Sequence, residues 1–270
     1  MPHDPLEPPP VDLDHNATTP IDPEVAELVR RIQLDTPGNP ASQHAAGRRA
    51  RKVLEDARER IGELLGCAQS DIRADRVIFT SGGTEANNLA LFGLGCEPHR
   101  TSPPDDRVII SAIEHPSVIF AAERLRELET IVDVLPVDGH GIVRIEALRD
   151  ALDQGPRPRL VSIMAANNET GVLQPITALA ELCRATGVLF HTDAVQMAGK
   201  SPIAFHRWGV DALTIAAHKF HGPRGIGALV VRHGVPLAPQ LFGGFQQAEL
   251  RPGTESPRWP PAWPGRWNSI

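Results

Sequence analysis

The chain has 270 residues, 41% of them hydrophobic and 22% charged, which is ordinary for a folded globular protein and excludes wholesale disorder. With 27 Lys and Arg against 33 Asp and Glu, the net charge is −6, and 4% of residues are aromatic, with no tyrosine. Neither a general nucleic-acid binder nor a base-stacking platform is expected from that balance.

In chain order, residues 1–11 read as a proline-rich lead-in without the basic and apolar regions of a secretory signal. Ala46, Ala50, Val53, Leu54, Ala57, Ile61, Leu64 and Leu65 then recur at three- and four-residue steps. They predict an amphipathic helix over 43–65, stopped by Gly66. Beyond it, β-rich runs at 77–80, 108–111, 131–135, 160–165, 188–191, 212–215 and 228–231 alternate with helical patterns at 84–92, 117–128, 145–152 and 177–185. Such alternation predicts a three-layer α/β/α domain around a mostly parallel sheet. Sheets of this kind take ligands at the carboxyl ends of their strands. From residue 257 the pattern breaks: Pro257, Pro260, Pro261 and Pro264 mix with Trp259, Trp263 and Trp267. This tail reads as an aberrant, truncated or frame-shifted end rather than as a proline-rich ligand segment. The cofactor-binding domain is therefore expected over 12–256, between the lead-in 1–11 and the tail 257–270.

No run approaches the ~20 apolar residues of a membrane span. The three cysteines, Cys67, Cys96 and Cys183, are too widely spaced for a disulfide framework or zinc cluster and suit a reducing compartment. A cytoplasmic location is the expectation.

Five strand ends carry polar or reactive residues. Ser81-Gly82-Gly83-Thr84-Glu85 follows the first strand, where glycines and a helix N-terminus can cradle a phosphate; by itself it is as well explained as a turn. Glu114-His115-Pro116 follows the second, and its histidine suits either a planar ligand or the start of a helix. Asn167-Asn168-Glu169-Thr170-Gly171 closes the 160–165 run as a polar ligand contact or as an asparagine turn. Asp193, after 188–191, is costly in an apolar setting unless a cation or ring nitrogen pairs with it; an ordinary helix N-cap is the plainer reading. His218-Lys219, in a glycine- and proline-rich connection rather than a helix, sets a desolvated, nucleophilic amine between two buried strands. Together, Lys219, Asp193, Thr84 and His115 supply what pyridoxal phosphate needs: a Schiff-base lysine, an acid partner for the ring nitrogen, a phosphate cradle and a group on the ring face.

These residues resemble the class V aminotransferases and, within them, the cysteine desulfurases of the NifS and IscS kind. The resemblance runs from Val11 to about Ser256. It rests on Leu13-Asp14-His15-Asn16-Ala17-Thr18-Thr19, Ser81-Gly82-Gly83-Thr84-Glu85-Ala86-Asn87-Asn88, Ile113-Glu114-His115 and Asn167-Asn168-Glu169-Thr170-Gly171. It continues through Thr192-Asp193-Ala194-Val195-Gln196, His218-Lys219 with Gly222-Pro223-Arg224-Gly225, and Arg251-Pro252-Gly253-Thr254-Glu255. The resemblance implies that Lys219 carries the cofactor, Asp193 pairs with its pyridinium nitrogen and His115 stacks on the ring and moves protons. Gln196 and Asn168 would lie near the phenolic oxygen and the substrate. Gly83, Thr84 and His218 would hold the phosphate, and Thr254 would reach the phosphate of the partner subunit in a homodimer. It further implies L-cysteine as substrate, L-alanine as product, and a sulfur acceptor or scaffold protein serving iron–sulfur or thio-cofactor synthesis. No metal ligand set is implied.

Two departures from the family pattern stand out. A serine usual two positions before the His-Lys pair is Ala216 here, and the C-terminal cysteine nucleophile and carboxylate-binding arginine have no counterpart after Lys219. The chain is therefore expected to be C-terminally incomplete and weakly active or inactive. The remaining alternatives are a selenocysteine lyase or other class V lyase or aminotransferase, a non-catalytic homologue, and a metallohydrolase built on His191, Asp193, His218, His221 and Glu169.

Overall fold

The computed structural model describes residues 13–69, 73–96 and 106–257. Most of the tail and the lead-in expected from the sequence lie outside them. Asp22 opens the first helix, α1 (Pro23–Asp35), by accepting the Glu24 amide, with Pro23 in the first turn, where its missing N–H needs no partner. Helix α2 (Ala45–Leu65) buries Ala50, Leu54, Ala57, Ile61 and Leu65 along one stripe. It ends at Gly66, whose φ of 72° is left-handed, so the amphipathic pattern located both the helix and its stop.

Strands and helices then alternate: β1 (Arg76–Thr80), α3 (Gly83–Gly95), β2 (Arg107–Ser111), α4 (Pro116–Glu127), β3 (Ile131–Leu135), α5 (Ile145–Asp153) and β4 (Leu160–Ser162). They continue with α6 (Ile176–Thr186), β5 (Leu189–Asp193), α7 (Phe205–Trp208), β6 (Ala212–Ala216) and β7 (Gly227–Val231). The seven strands form one sheet in the order β1-β7-β6-β5-β4-β2-β3. β7 runs antiparallel to both neighbours, and the remaining strand pairs are parallel. The sheet is thus mostly parallel, as the β/α alternation predicts.

Side-chain alternation along the strands divides the core into two layers. Val77, Phe79, Ile109, Val161, Phe190, Leu213 and Ile215 face α2, α5 and α6. Ile78, Val108, Ile110, Leu160 and Leu229 face α3 and α4. Both faces are covered, which is what near-continuous apolar strands require.

The structure alters three details of the expected pattern. The 160–165 run is a strand only over Leu160–Ser162. Beyond it the Ile163 and Ala165 amides still donate to His191 and Asp193 of β5, but the Met164 amide donates to the Glu114 carboxylate instead of a neighbouring strand. No helix starts at Asp193, whose Oδ1 instead accepts the Val195 amide at 2.9 Å in a turn, so the N-cap alternative falls away. The His218-Lys219 connection opens with one turn of 3-10 helix, Ala217–Lys219, and is therefore not wholly a turn.

Candidate active site

The parallel strands end at a common edge, and a cavity of ≈ 270 Å³ opens there. Its lining includes Gly83 and Thr84 after β1, His115 after β2, Asn168 after β4, Asp193 closing β5, Gln196, and His218 and Lys219 after β6. Eight of the nine site residues expected from the sequence therefore converge. Thr254 does not; it lines a separate pocket with Ser81, Gly225 and Arg251.

Asp193 is buried, and burial pushes its carboxyl above the usual range. The Val195 amide, the Asn87 amide and the charges of His115 and Lys219 oppose that shift. Its Oδ2 accepts from Asn87 Nδ2 at 2.7 Å. His115 caps α4, its Nδ1 accepting the Ser117 amide at 3.1 Å. That bond favours a bare Nδ1, with the proton of the neutral ring on Nε2. Burial lowers the pKa of the Lys219 amine, while Asp193 and Asp14 hold it partly up. A depressed amine is more often unprotonated, as a nucleophile must be.

Two neighbours of this amine escaped the reading of the strand ends. The chain at 13–19 crosses the mouth of the site, and Asn16 ties it there. The Asn16 carbonyl accepts from Lys219 and from Gln196 Nε2, its Nδ2 donates to the Asn168 carbonyl, and its Oδ1 accepts from Lys200 Nζ. The Ala17 carbonyl accepts a second bond from Lys219, at 2.9 Å. Lys200 also donates to Gln196 Oε1 at 2.6 Å. Although it sits well past Asp193 in sequence, this second lysine borders the cluster. Its signal was the seven-residue separation from Asp193, which a tight turn folds back.

The glycine-rich corner after β1 suits an anion. Helix α3 begins without a side-chain cap, leaving first-turn N–H groups and the positive end of the helix dipole directed outward. A Cβ on Gly83 would stand 3.0 Å from Val195 Cγ2 and 3.6 Å from the Ala216 Cβ, so a side chain there would fill the corner. Gly227 of β7 permits the close approach of this turn, because a Cβ there would lie 2.5 Å from the Gly82 carbonyl carbon. The buried acid, the bare Nδ1, the lysine and the uncapped helix suit a flat, cationic ring that bears a phosphate and an aldehyde. Asn87 Oδ1 is a buried acceptor with no partner among the described residues.

The other reactive candidates do not assemble. His191 is fully buried between Ser162 Oγ and Thr214 Oγ1, and burial lowers its pKa to about 3. Among the described residues no three of His, Cys, Asp and Glu are grouped to hold a metal, and no helix is long and apolar enough to cross a membrane. Burial pushes the Cys67 and Cys183 thiols up to about 12, and none of the three cysteines lines the cavity.

Fold and site together define an α/β protein with a lysine-centred pocket at the carboxyl edge of its sheet. The chain belongs to the aminotransferase class-V family, whose model matches residues 11–258. It is 44% identical over 246 residues to a cysteine desulfurase of Cereibacter sphaeroides, covering 90% of this chain and 61% of that protein. To the cysteine desulfurase IscS of Dictyoglomus turgidum it is 41% identical, covering 90% and 59%. The chain thus spans about three fifths of the length of these curated relatives. Among solved structures it matches a NifS-like protein from Rickettsia africae with a TM-score of 0.85 and 35% identity, covering 96% of this chain and 69% of that one. It also matches SspA in complex with cysteine, with a TM-score of 0.86 and 31% identity, covering 94% and 71%.

Proposed function

We propose that this chain binds pyridoxal phosphate and serves the cysteine desulfurase reaction, conversion of L-cysteine to L-alanine with sulfur passed to an acceptor. The observation that carries this reading is the arrival of the Lys219 amine and the buried Asp193 carboxylate in one cavity from adjacent strands. When bound, the cofactor supplies a ring that withdraws electrons from the substrate's α-carbon. Lys219 would be its covalent attachment point, and Asp193 would keep the ring nitrogen protonated. His115, with its proton on Nε2, would serve the ring face. Gly83, Thr84 and His218 would hold the phosphate, and Gln196 and Asn168 the polar edge of the ring and the substrate.

Thr254 is exposed and is assigned to the partner's phosphate in a homodimer. A pair of ion pairs anchors its segment, Arg251 to Glu85 and Arg58 to Glu255. Exposed Phe120, Phe242 and Phe245 support an interface between copies. The three cysteines leave the acceptor thiol unassigned, since none lies at the cavity and thiolate is the reactive form. A cytoplasmic setting and an acceptor protein complete the reading.

The test is direct: pyridoxal phosphate added to the purified chain should turn it yellow, and L-cysteine should then perturb that absorbance. Sulfide release in the presence of a reductant should stay far below the ~1–10³ s⁻¹ usual for enzymes. A colourless protein, or one indifferent to L-cysteine, contradicts the proposal. A selenocysteine lyase would instead respond chiefly to the selenium analogue.

A further inference from the structure

The group assigned to the ring nitrogen and the group assigned to the ring face are joined through hydrogen bonds. Asn87 is buried in α3, 1% exposed, and spends both amide hydrogens: one on Asp193 Oδ2 at 2.7 Å, the other on Ser117 Oγ at 2.9 Å. Ser117, also buried, lies 2.8 Å from His115 Nδ1 through the same oxygen. A hydroxyl that accepts from an amide has its own hydrogen left to give, and Nδ1, already accepting the Ser117 amide, can only accept.

The order of donors is therefore fixed outward from Asn87. The amide holds Asp193 as an acceptor at one end, and through Ser117 it holds His115 Nδ1 as an acceptor at the other. We propose that Asn87 and Ser117 are positioning residues that couple Asp193 to His115, keeping the first an ionised carboxylate and the second an Nε2–H imidazole. The purpose of the coupling rests on the cofactor reading above, since it readies both groups before a ring arrives. Hydrogen-bond chains of this kind polarise one another in a low-dielectric interior.

The arrangement also explains a residue left over by the strand-end reading. Asn87 belongs to the run Thr84-Glu85-Ala86-Asn87-Asn88, yet it contributes no cap and lines the cavity one turn beyond Gly83. The neighbouring Asn88 merely donates back to the Thr84 carbonyl. A buried asparagine whose Oδ1 has no partner among the described residues is costly to keep, and leucine has the same branched shape. Two directed N–H groups are what leucine cannot supply.

The charged groups around Asp193 are His115 from the β2–α4 loop, Lys219 after β6 and, one layer back, Glu114. All three remain in the Ser117 and Asn87 variants. The 270-residue chain, free of cofactor, carries ¹⁵N-histidine and ¹³C-labelled aspartate, with His115→Gln and Asp193→Asn used only to assign signals. In the unaltered protein His115 should show a bare Nδ1 and a protonated Nε2. Ser117→Ala keeps the residue-117 amide on Nδ1 but removes the shorter hydroxyl bond, 2.8 Å against 3.1 Å, so the Nδ1–H form should rise while Asp193 titrates as before, and Ser117→Thr should restore the original signature. Asn87→Leu should disturb both ends, the Asp193 carboxyl binding its proton about tenfold more tightly, in keeping with loss of one hydrogen bond to a charged group.

An unchanged His115 signature in Ser117→Ala overturns the proposal, as does an unchanged Asp193 titration in a folded Asn87→Leu. If Asn87→Leu does not fold, Ser117→Ala and its threonine rescue decide alone. Pyridoxal phosphate uptake is scored separately. A protein that shows the coupling but takes up no cofactor would refute the functional reading and leave the hydrogen-bond relay intact. Uptake without the coupling would do the reverse.

Discussion

Ala216 shows how much one atom can matter at this site. It closes β6, is 1% exposed, and lines the cavity opposite the glycine corner. A hydroxyl there would face the phosphate position, and hydrogen bonds to charged groups contribute about 1.5–3 kcal/mol. Some of that is spent on ordering the side chain. Ala216→Ser is expected to tighten pyridoxal phosphate binding by about 1 kcal/mol, measured by titration in a Lys219→Ala background where no covalent bond masks the phosphate. Equal or weaker affinity would place Ala216 away from the phosphate. At this scale the sequence is legible where a residue type is chemically unusual for its setting. Asp193 and Lys219 stand out because charge in an apolar strand end needs a reason. Asn16 and Lys200 do not stand out, because each is a common surface residue whose role comes from a fold-back no local pattern records.

Among the elements, the β2–α4 loop is held by a buried acid. Glu114 Oε1 accepts the Met164 amide at 2.9 Å and the Ser111 hydroxyl, joining the His115 loop to the end of β4. Burial pushes the Glu114 carboxyl up to about 8, well above its unfolded value near 4.3. The folded protein then binds a proton that the unfolded chain has released, so Glu114 contributes stability at low pH that is lost as pH rises toward 8. His191 acts with opposite sign: neutral when folded, it loses stability as pH falls below about 6.5. Between about pH 6.5 and 8 the Glu114 contribution stands without that opposition. Denaturant unfolding should show stability falling across this window, and Glu114→Gln should flatten the slope. A slope that survives the substitution would contradict this assignment.

Elements were legible in proportion to their periodicity. The 131–135 strand matches residue for residue because Glu129-Thr130 and Pro136 bound it and three of its five residues are β-branched. Helix α1 carried a start signal in Asp22-Pro23-Glu24, yet its apolar stripe buries Val25 alone, too little to register as a period. The 160–165 run was overextended because apolar composition marks burial, whereas the strand ends where partners on one side stop, here where the Met164 amide turns to the Glu114 carboxylate.

At the scale of the whole molecule, five of the six parallel strands deliver chemistry to one edge, and the antiparallel β7 closes the sheet against β1. That alternation was readable from hydrophobic period alone. The convergence was readable only because parallel sheets present their carboxyl ends together; the relation between Thr254 and a partner's site is not written in a single chain. The central claim is that this edge is built around Lys219 as the attachment point for pyridoxal phosphate. Borohydride reduction of the loaded chain, followed by peptide mapping, tests it most directly, because Lys200 lies close enough to compete. The expected result is label on the peptide containing Lys219, abolished in Lys219→Ala and retained in Lys200→Ala. Label on Lys200 in the unaltered protein, or no covalent label at all, would contradict the account.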